Sequence, residues 1–180
     1  MPKQDKPAPP WHVPVALDDV SEEGQHLDLA ADAQTRAAVA QVAGLRDLPR
    51  LEASFDLSRH GRGLHVIGRV SATAGQTCVV TLEPLINEVG EEIDLLFEPP
   101  LVVAPDLEAD DVVERKLDDN TEPLLDGKVD LGALATEFLI LGLDPYPRKP
   151  GAVFQPPADT SVDEGPFAAL NALKKGRDGA

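Results

Sequence analysis

Residues 51–72 read LEASFDLSRHGRGLHVIGRVSA, and this stretch decides the fold. Leu51, Ala53, Phe55 and Leu57 alternate with Glu52, Ser54, Asp56 and Ser58. That is the two-residue period of a strand with one buried face. His60-Gly61-Arg62-Gly63 follows as a turn, with two glycines free to take positive φ. Leu64, Val66, Gly68, Val70 and Ala72 then alternate with His65, Ile67, Arg69 and Ser71. The spacing predicts an antiparallel hairpin whose apolar face belongs to the core.

Downstream, Ala74-Gly75 gives a second turn signal, and Thr77–Leu82 is a β-branched run that predicts a third strand. A fourth is expected over Ile86–Phe97, with Val89, Glu91, Ile93, Leu95 and Phe97 on one side. Glu98-Pro99-Pro100 ends it, and Leu101–Val103 suits one more short strand. Residues 104–127 are acidic and lack an apolar period, which predicts a loop. Asp130 is a good N-cap for a helix whose stripe is Leu131, Leu134, Ala135, Phe138, Leu141 and Gly142. That helix should stop near Leu143, before Pro145 and Pro147.

Upstream, Trp11–Leu17 reads as an edge strand, because Pro14 has no N–H to give a neighbour. His26–Leu29 suits a second extended piece. Asp32 caps a predicted helix over 33–43, with Gly44 at its C′ position and a thin stripe of Ala38, Val39, Val42 and Leu45. Residues 1–10 predict a flexible arm, and residues 151–180 a mostly flexible tail with a short helix at Phe167–Lys175. The expected fold class is α+β, one domain over residues 11–150. It is an antiparallel meander of four to six strands, open or barrel-like, covered by two helices, with disordered Pro-rich termini.

Of 180 residues, 32 are Asp or Glu and 16 are Lys or Arg, a net charge of −16. Such a balance argues against broad binding to nucleic acid, DNA included, and suits a basic partner. The charge is uneven. Residues 83–126 hold 15 acids against Arg115 and Lys116, whereas residues 36–69 hold six arginines against three acids. No stretch is long and apolar enough for a transmembrane helix, and Met1–Lys6 has no apolar run behind it to make a secretion signal. The single Cys78 excludes an internal disulfide and predicts a reducing, cytoplasmic setting.

Motifs of catalysis are missing from the sequence. The four histidines, His12, His26, His60 and His65, have no metal-ligand spacing, though His60 and His65 flank a turn. Cys78 sits in an apolar run with no basic neighbour in sequence, so it reads as an inert buried thiol. Neither a nucleophile elbow nor a phosphate-binding glycine loop occurs. The expectation is a protein without catalytic residues, metal or cofactor. Asp144-Pro145-Tyr146-Pro147-Arg148-Lys149-Pro150-Gly151 is more pointed. It sets the only tyrosine beside two cations on a stiff backbone, which suits stacking on a base or holding a phosphate.

Two segments together resemble a known family. They are Gly75–Leu85 (GQTCVVTLEPL) and Val129–Leu139 (VDLGALATEFL) running into Leu143–Gly151 (LDPYPRKPG). The pair resembles the YceD family, the large ribosomal RNA subunit accumulation proteins, over roughly residues 10–175, and with Pro166–Leu170 its form looks alphaproteobacterial. Many members carry a second cysteine where Thr81 stands here, and another after the final prolines, which puts any metal role in doubt. The resemblance implies a non-enzymatic role in 23S rRNA accumulation and large-subunit assembly. Its partners would be large-subunit precursor rRNA, a basic large-subunit ribosomal protein, or both. Arg59, Arg62, Arg69, Tyr146, Arg148 and Lys149 are the candidates for RNA or partner binding. Glu88, Glu91, Glu92, Asp110, Asp111 and Glu114 are the candidates for an acidic docking surface. The charge inclines the direct contact toward the basic protein. The alternative is an acidic protein–protein adaptor unrelated to ribosomes.

Overall fold

Three long strands form the body of the sheet. The computed structural model describes residues 8–99 and 120–154. In it β3 (Asp47–His60), β4 (Gly63–Thr77) and β5 (Pro84–Glu98) run as a meander of 14, 15 and 15 residues. The predicted hairpin turn is there, with His60 opposite Gly63 and Gly61-Arg62 between them. Gly61 has φ +57°, the positive value that a two-residue hairpin turn requires at its first position. Gly63 serves differently: a Cβ there would run into the Phe97 carbonyl of the neighbouring strand.

β2 (Gln25–Ala30) pairs antiparallel with β3, and β6 (Thr121–Pro123) pairs parallel with the end of β5. The sheet order is therefore β2-β3-β4-β5-β6, a mixed sheet. Its two outer strands do not pair with each other, so the barrel-like alternative is replaced by an open sheet. β1 (Pro14–Ala16) and β7 (Lys128–Asp130) form a separate two-stranded sheet, so the edge strand expected over Trp11–Leu17 is cut to three residues that start at Pro14. Helices α1 (Ala33–Val42) and α2 (Leu131–Gly142) complete an α+β architecture. α1 packs on β3, and α2 on β4 and β5.

The core lies between the helices and one face of the sheet. Leu51, Phe55, Leu57, Leu64, Val66, Val70 and Ile93 are its largest fully buried sheet residues. Val39 enters from α1, and Leu131, Ala135 and Leu139 enter from α2. Burying such side chains is worth about 1.5–3 kcal/mol each. The expected stripes need adjustment. Val42 of α1 and Leu141 of α2 are exposed, whereas Leu139 and Thr136 are buried, so α2 buries more than one narrow row. Trp11 is buried at the start of α2, where a Cβ on Gly132 would strike its backbone carbonyl.

Three expectations are corrected here. Ala74-Gly75 makes no turn but continues β4, and Gly75 leaves room for the Asp47 side chain of β3. Residues 78–82 make no strand. The Cys78 N–H donates to the Glu83 carbonyl (2.9 Å), and the Leu82 N–H donates to the Cys78 carbonyl (2.9 Å). Leu82 takes φ +60°, so this β-branched run folds into a tight connection between β4 and β5. Part of the expected loop 104–127 is strand, because Thr121–Pro123 joins the sheet. The arm 1–7, the short strand 101–103, residues 104–119 and the tail from 155, with its expected helix, lie outside the described residues.

Asp130 ties the N-terminal segment to α2. Its Oδ1 accepts from the N–H groups of Val13 (2.8 Å), Gly132 (3.2 Å) and Ala133 (3.2 Å), and its Oδ2 meets His12 Nδ1. Asp130→Ala removes the helix cap and the clamp on Val13 together. Urea unfolding should show a loss of about 1–2 kcal/mol.

Candidate functional site

Strand parity puts opposite chemistry on the two faces of the sheet. Odd positions of β3 and β5 and even positions of β4 enter the core, so their neighbours form the other face. No described helix covers that outer face. It carries Asp28 from β2, Glu52 and Asp56 from β3, and Glu88, Glu92, Asp94 and Glu98 from β5. Against these seven carboxylates stand the guanidiniums of Arg50 and Arg69, leaving −5 when His26 and His65 are neutral.

The pairings on this face are ordered by register. Arg50 reaches across three strands, donating to Ser71 Oγ (2.9 Å), Glu52 Oε2 (3.2 Å) and Glu88 Oε2 (2.8 Å). Thr73 Oγ donates to the other Glu88 oxygen (2.8 Å). The Thr73 hydroxyl and then the Arg50 guanidinium hold the Glu88 carboxyl below its ordinary range. Arg69 lies opposite Ser54 on one side and Glu92 on the other. His26 Nδ1 lies 2.7 Å from Asp56 Oδ1, and its Nε2 lies 3.3 Å from Asp28. His65 Nε2 lies 2.7 Å from Asp94 Oδ1 across β4 and β5, so its partner is Asp94.

The predicted cations fall in three separate places. Arg59 donates to the carbonyls of Val20 (2.7 Å) and Asp18 (3.2 Å), pinning the segment that precedes β2. Arg62 stands exposed at the hairpin tip, and Arg69 sits midway along β4. Tyr146, Arg148 and Lys149 lie by the β4–β5 connection, at the other end of β4. At about 3.3 Å per residue, roughly 45 Å of strand separates Arg62 from that end. The cations therefore do not converge into one patch. The acidic candidates divide as well. Glu88 and Glu92 share the outer face, but Glu91 lies on the inner face, where a Cβ on Gly142 of α2 would meet its side chain. Asp110, Asp111 and Glu114 lie outside the described residues.

Around Cys78 the structure adds a feature that sequence spacing did not show. The Cys78 Sγ accepts from the N–H groups of Thr81 (3.4 Å) and Lys149 (3.3 Å). The Thr81 hydroxyl first, and then these backbone donors, bring the thiol down to about 6. Burial of the side chain opposes the shift and is outweighed. The same connection receives the segment after α2. The Val79 N–H donates to the Pro147 carbonyl (2.9 Å), and Lys149 Nζ reaches Glu83 Oε2 (2.9 Å). The Tyr146 ring is exposed, while its N–H closes a turn on Asp144 Oδ1 (2.8 Å). Cys78 and the Pro-rich segment are thus one structural unit. Among the described residues no group of three His, Cys, Asp or Glu side chains is placed to hold a metal ion. No helix among them is long and apolar enough to cross a membrane.

Residues 66–174, more than half of the chain, match the family described as large ribosomal RNA subunit accumulation protein YceD. The chain belongs to the YceD family. The matched span takes in most of β4, the Cys78 connection, β5, α2 and the segment to Lys149. Arg59 and Arg62 fall before it, whereas Arg69, Glu88, Glu92, Tyr146, Arg148 and Lys149 fall within it. No match was found among curated proteins or among solved structures.

Two titrations check this geometry. Absorbance of the Cys78 thiolate should rise with a midpoint near 6, and Thr81→Val should move that midpoint upward. The sign for stability follows from linkage. A depressed thiol pKa stabilises the fold above the unfolded value of about 8.5, and that contribution is lost as pH falls through the folded value. For His26 the Asp56 hydrogen bond raises the imidazole pKa. Its contribution is full below the unfolded value of about 6.5 and is lost as pH rises through the raised folded value. An NMR titration should place the His26 midpoint above that of the Asp56→Asn variant.

Proposed function

We propose that this YceD-family chain is a non-enzymatic, cytoplasmic factor that supports accumulation of large-subunit ribosomal RNA, 23S rRNA, by binding during subunit assembly. The observation that carries the reading is the family match over residues 66–174. The outer sheet face supports a binding role, since it is polar, charged and not covered by either helix. Its sign favours a basic protein of the large subunit over bare RNA as the direct contact. Seven carboxylates against two arginines attract a polycation and repel phosphates. Such a protein, held until its RNA site forms, would be kept from unproductive contacts with precursor rRNA.

Arg69, Arg148 and Lys149 are the cations of the matched span that offer RNA a contact. Lys149 is already engaged with Glu83, so its pull on phosphates is partly neutralised, and Arg69 lies amid the acids of the outer face. Affinity for naked RNA is therefore expected to be low. A docked basic protein is the larger electrostatic gain.

A tagged pull-down, run at low salt and at about 0.5 M salt, tests the proposal. The expected result is recovery at low salt of a basic large-subunit protein, with or without precursor rRNA, and its loss at high salt. Recovery of neither from cells making ribosomes actively would overturn the ribosomal reading in favour of an adaptor of another system.

A further inference from the structure

β5 offers more than its side chains. Toward β4 it is paired without a break from Pro84 to Phe97. Toward the other side it is paired only at Leu96–Glu98, by the three residues of β6. The Leu96 N–H donates to the Asn120 carbonyl (2.9 Å), and the Glu98 carbonyl accepts from the Leu124 N–H (2.7 Å). Even-numbered residues of β5 therefore point their backbone groups away from β4. In an unbroken strand this alternation extends back to Asp94, Glu92, Gly90, Glu88 and Ile86. Among the described residues none of these five makes a backbone hydrogen bond on that side.

The same five residues also direct their side chains to the outer face. An arriving strand would thus meet a row of open N–H and C=O groups flanked by Glu88, Glu92 and Asp94, with the Arg69 guanidinium lying over Gly90 at mid-edge. β5 has five acids and no base. Its charge excludes two other occupants. A second β5 would set acids against acids across the new ladder. The chain's own residues 101–119 hold seven acids against Arg115 and Lys116, again the wrong sign.

We propose that the open edge of β5, from Ile86 to Asp94, is a strand-addition site for an extended segment of a basic protein with Lys or Arg at alternate positions. The main-chain ladder would supply affinity, and the alternate cations, lying beside Glu88, Glu92 and Asp94, would supply selectivity. This deepens the function proposed above and rests on it only for the ribosomal identity of the partner. The test uses no ribosomal component, so the two ideas fail separately.

The probe is a synthetic peptide of about twelve residues alternating Lys with Val or Thr, which favours an extended chain. Amide hydrogen exchange of the full chain is followed by NMR. The peptide should slow exchange at Ile86, Glu88, Gly90, Glu92 and Asp94 about tenfold or more, with the β4-paired amides of Val89, Glu91 and Ile93 unchanged. N-methylating one alternate set of peptide amides should abolish binding, while methylating the other set should not. A peptide with Glu for Lys should not bind. Gly90→Pro, which removes an edge N–H that β4 does not use, should weaken binding about tenfold while leaving the fold intact. If that variant does not fold, the methylated peptides decide. Equal binding of both methylated peptides would reduce the contact to charge adhesion and overturn strand addition. Edge amides already protected in the free chain, by its own residues or by a second copy, would overturn it too.

Discussion

The ring of Phe55 lies on Gly68, and the rest of the structure depends on that contact. A Cβ on Gly68 would fall 2.6 Å from the Phe55 ring, so the pair interlocks at the middle of the sheet. The cross-sheet row is Leu27, Phe55, Gly68 and Ile93, and Phe55 and Ile93 are buried. Sliding β3 by one residue would move its whole apolar set to the solvent side. This register therefore decides which side chains are core and which are available to a partner. It also decides where the helices go, since α1 and α2 gain burial only over the apolar face.

From one-sided burial follows the electrostatic character of the molecule. Every acid of the outer face sits there because its strand neighbour is in the core. Arg50, on the same face, is engaged by carboxylates on two strands, those of Glu52 and Glu88, and Arg69 stands at the register position opposite Glu92. A chain of net charge −16 can thus carry six arginines over residues 36–69 and still present an anionic surface. Exposed ion pairs of this kind contribute only about 0–1 kcal/mol each to stability, so their main consequence is the field offered to a partner.

At the ends of the sheet, polar side chains rather than apolar burial hold the connections. Asp130 fastens the N-terminal segment and the start of α2, and Cys78 fastens the β4–β5 connection to the segment that follows α2. Both use one side-chain acceptor to collect several backbone N–H groups, which a tight turn would otherwise leave without partners. The Cys78 unit explains why Pro147 is buried while Tyr146 and Arg148 stand outside: the Pro147 carbonyl is engaged with Val79.

Local pattern was enough for much of this. The alternation at 51–72 determined the hairpin and its core face, Asp32 and Asp130 marked both helix starts, and the family could be named from two short motifs. These signals are legible because each arises between residues a few positions apart, where backbone period and capping geometry act. The turn at Cys78–Leu82 ran against its own β-branched composition, because contacts with Glu83 and Lys149 outweighed strand propensity. Cys78 looked inert for the same reason, since one of its donors lies 71 residues away. Sequence determined how much charge the chain carries and the parity of each strand. Only the tertiary structure decided which strands stand side by side, and so whether charges distant in sequence meet. It scattered Arg59, Arg62 and Lys149, turned Glu91 inward, and gathered Asp28, Asp56 and Asp94 on one open face, because strand pairing is a long-range interaction that no local period encodes.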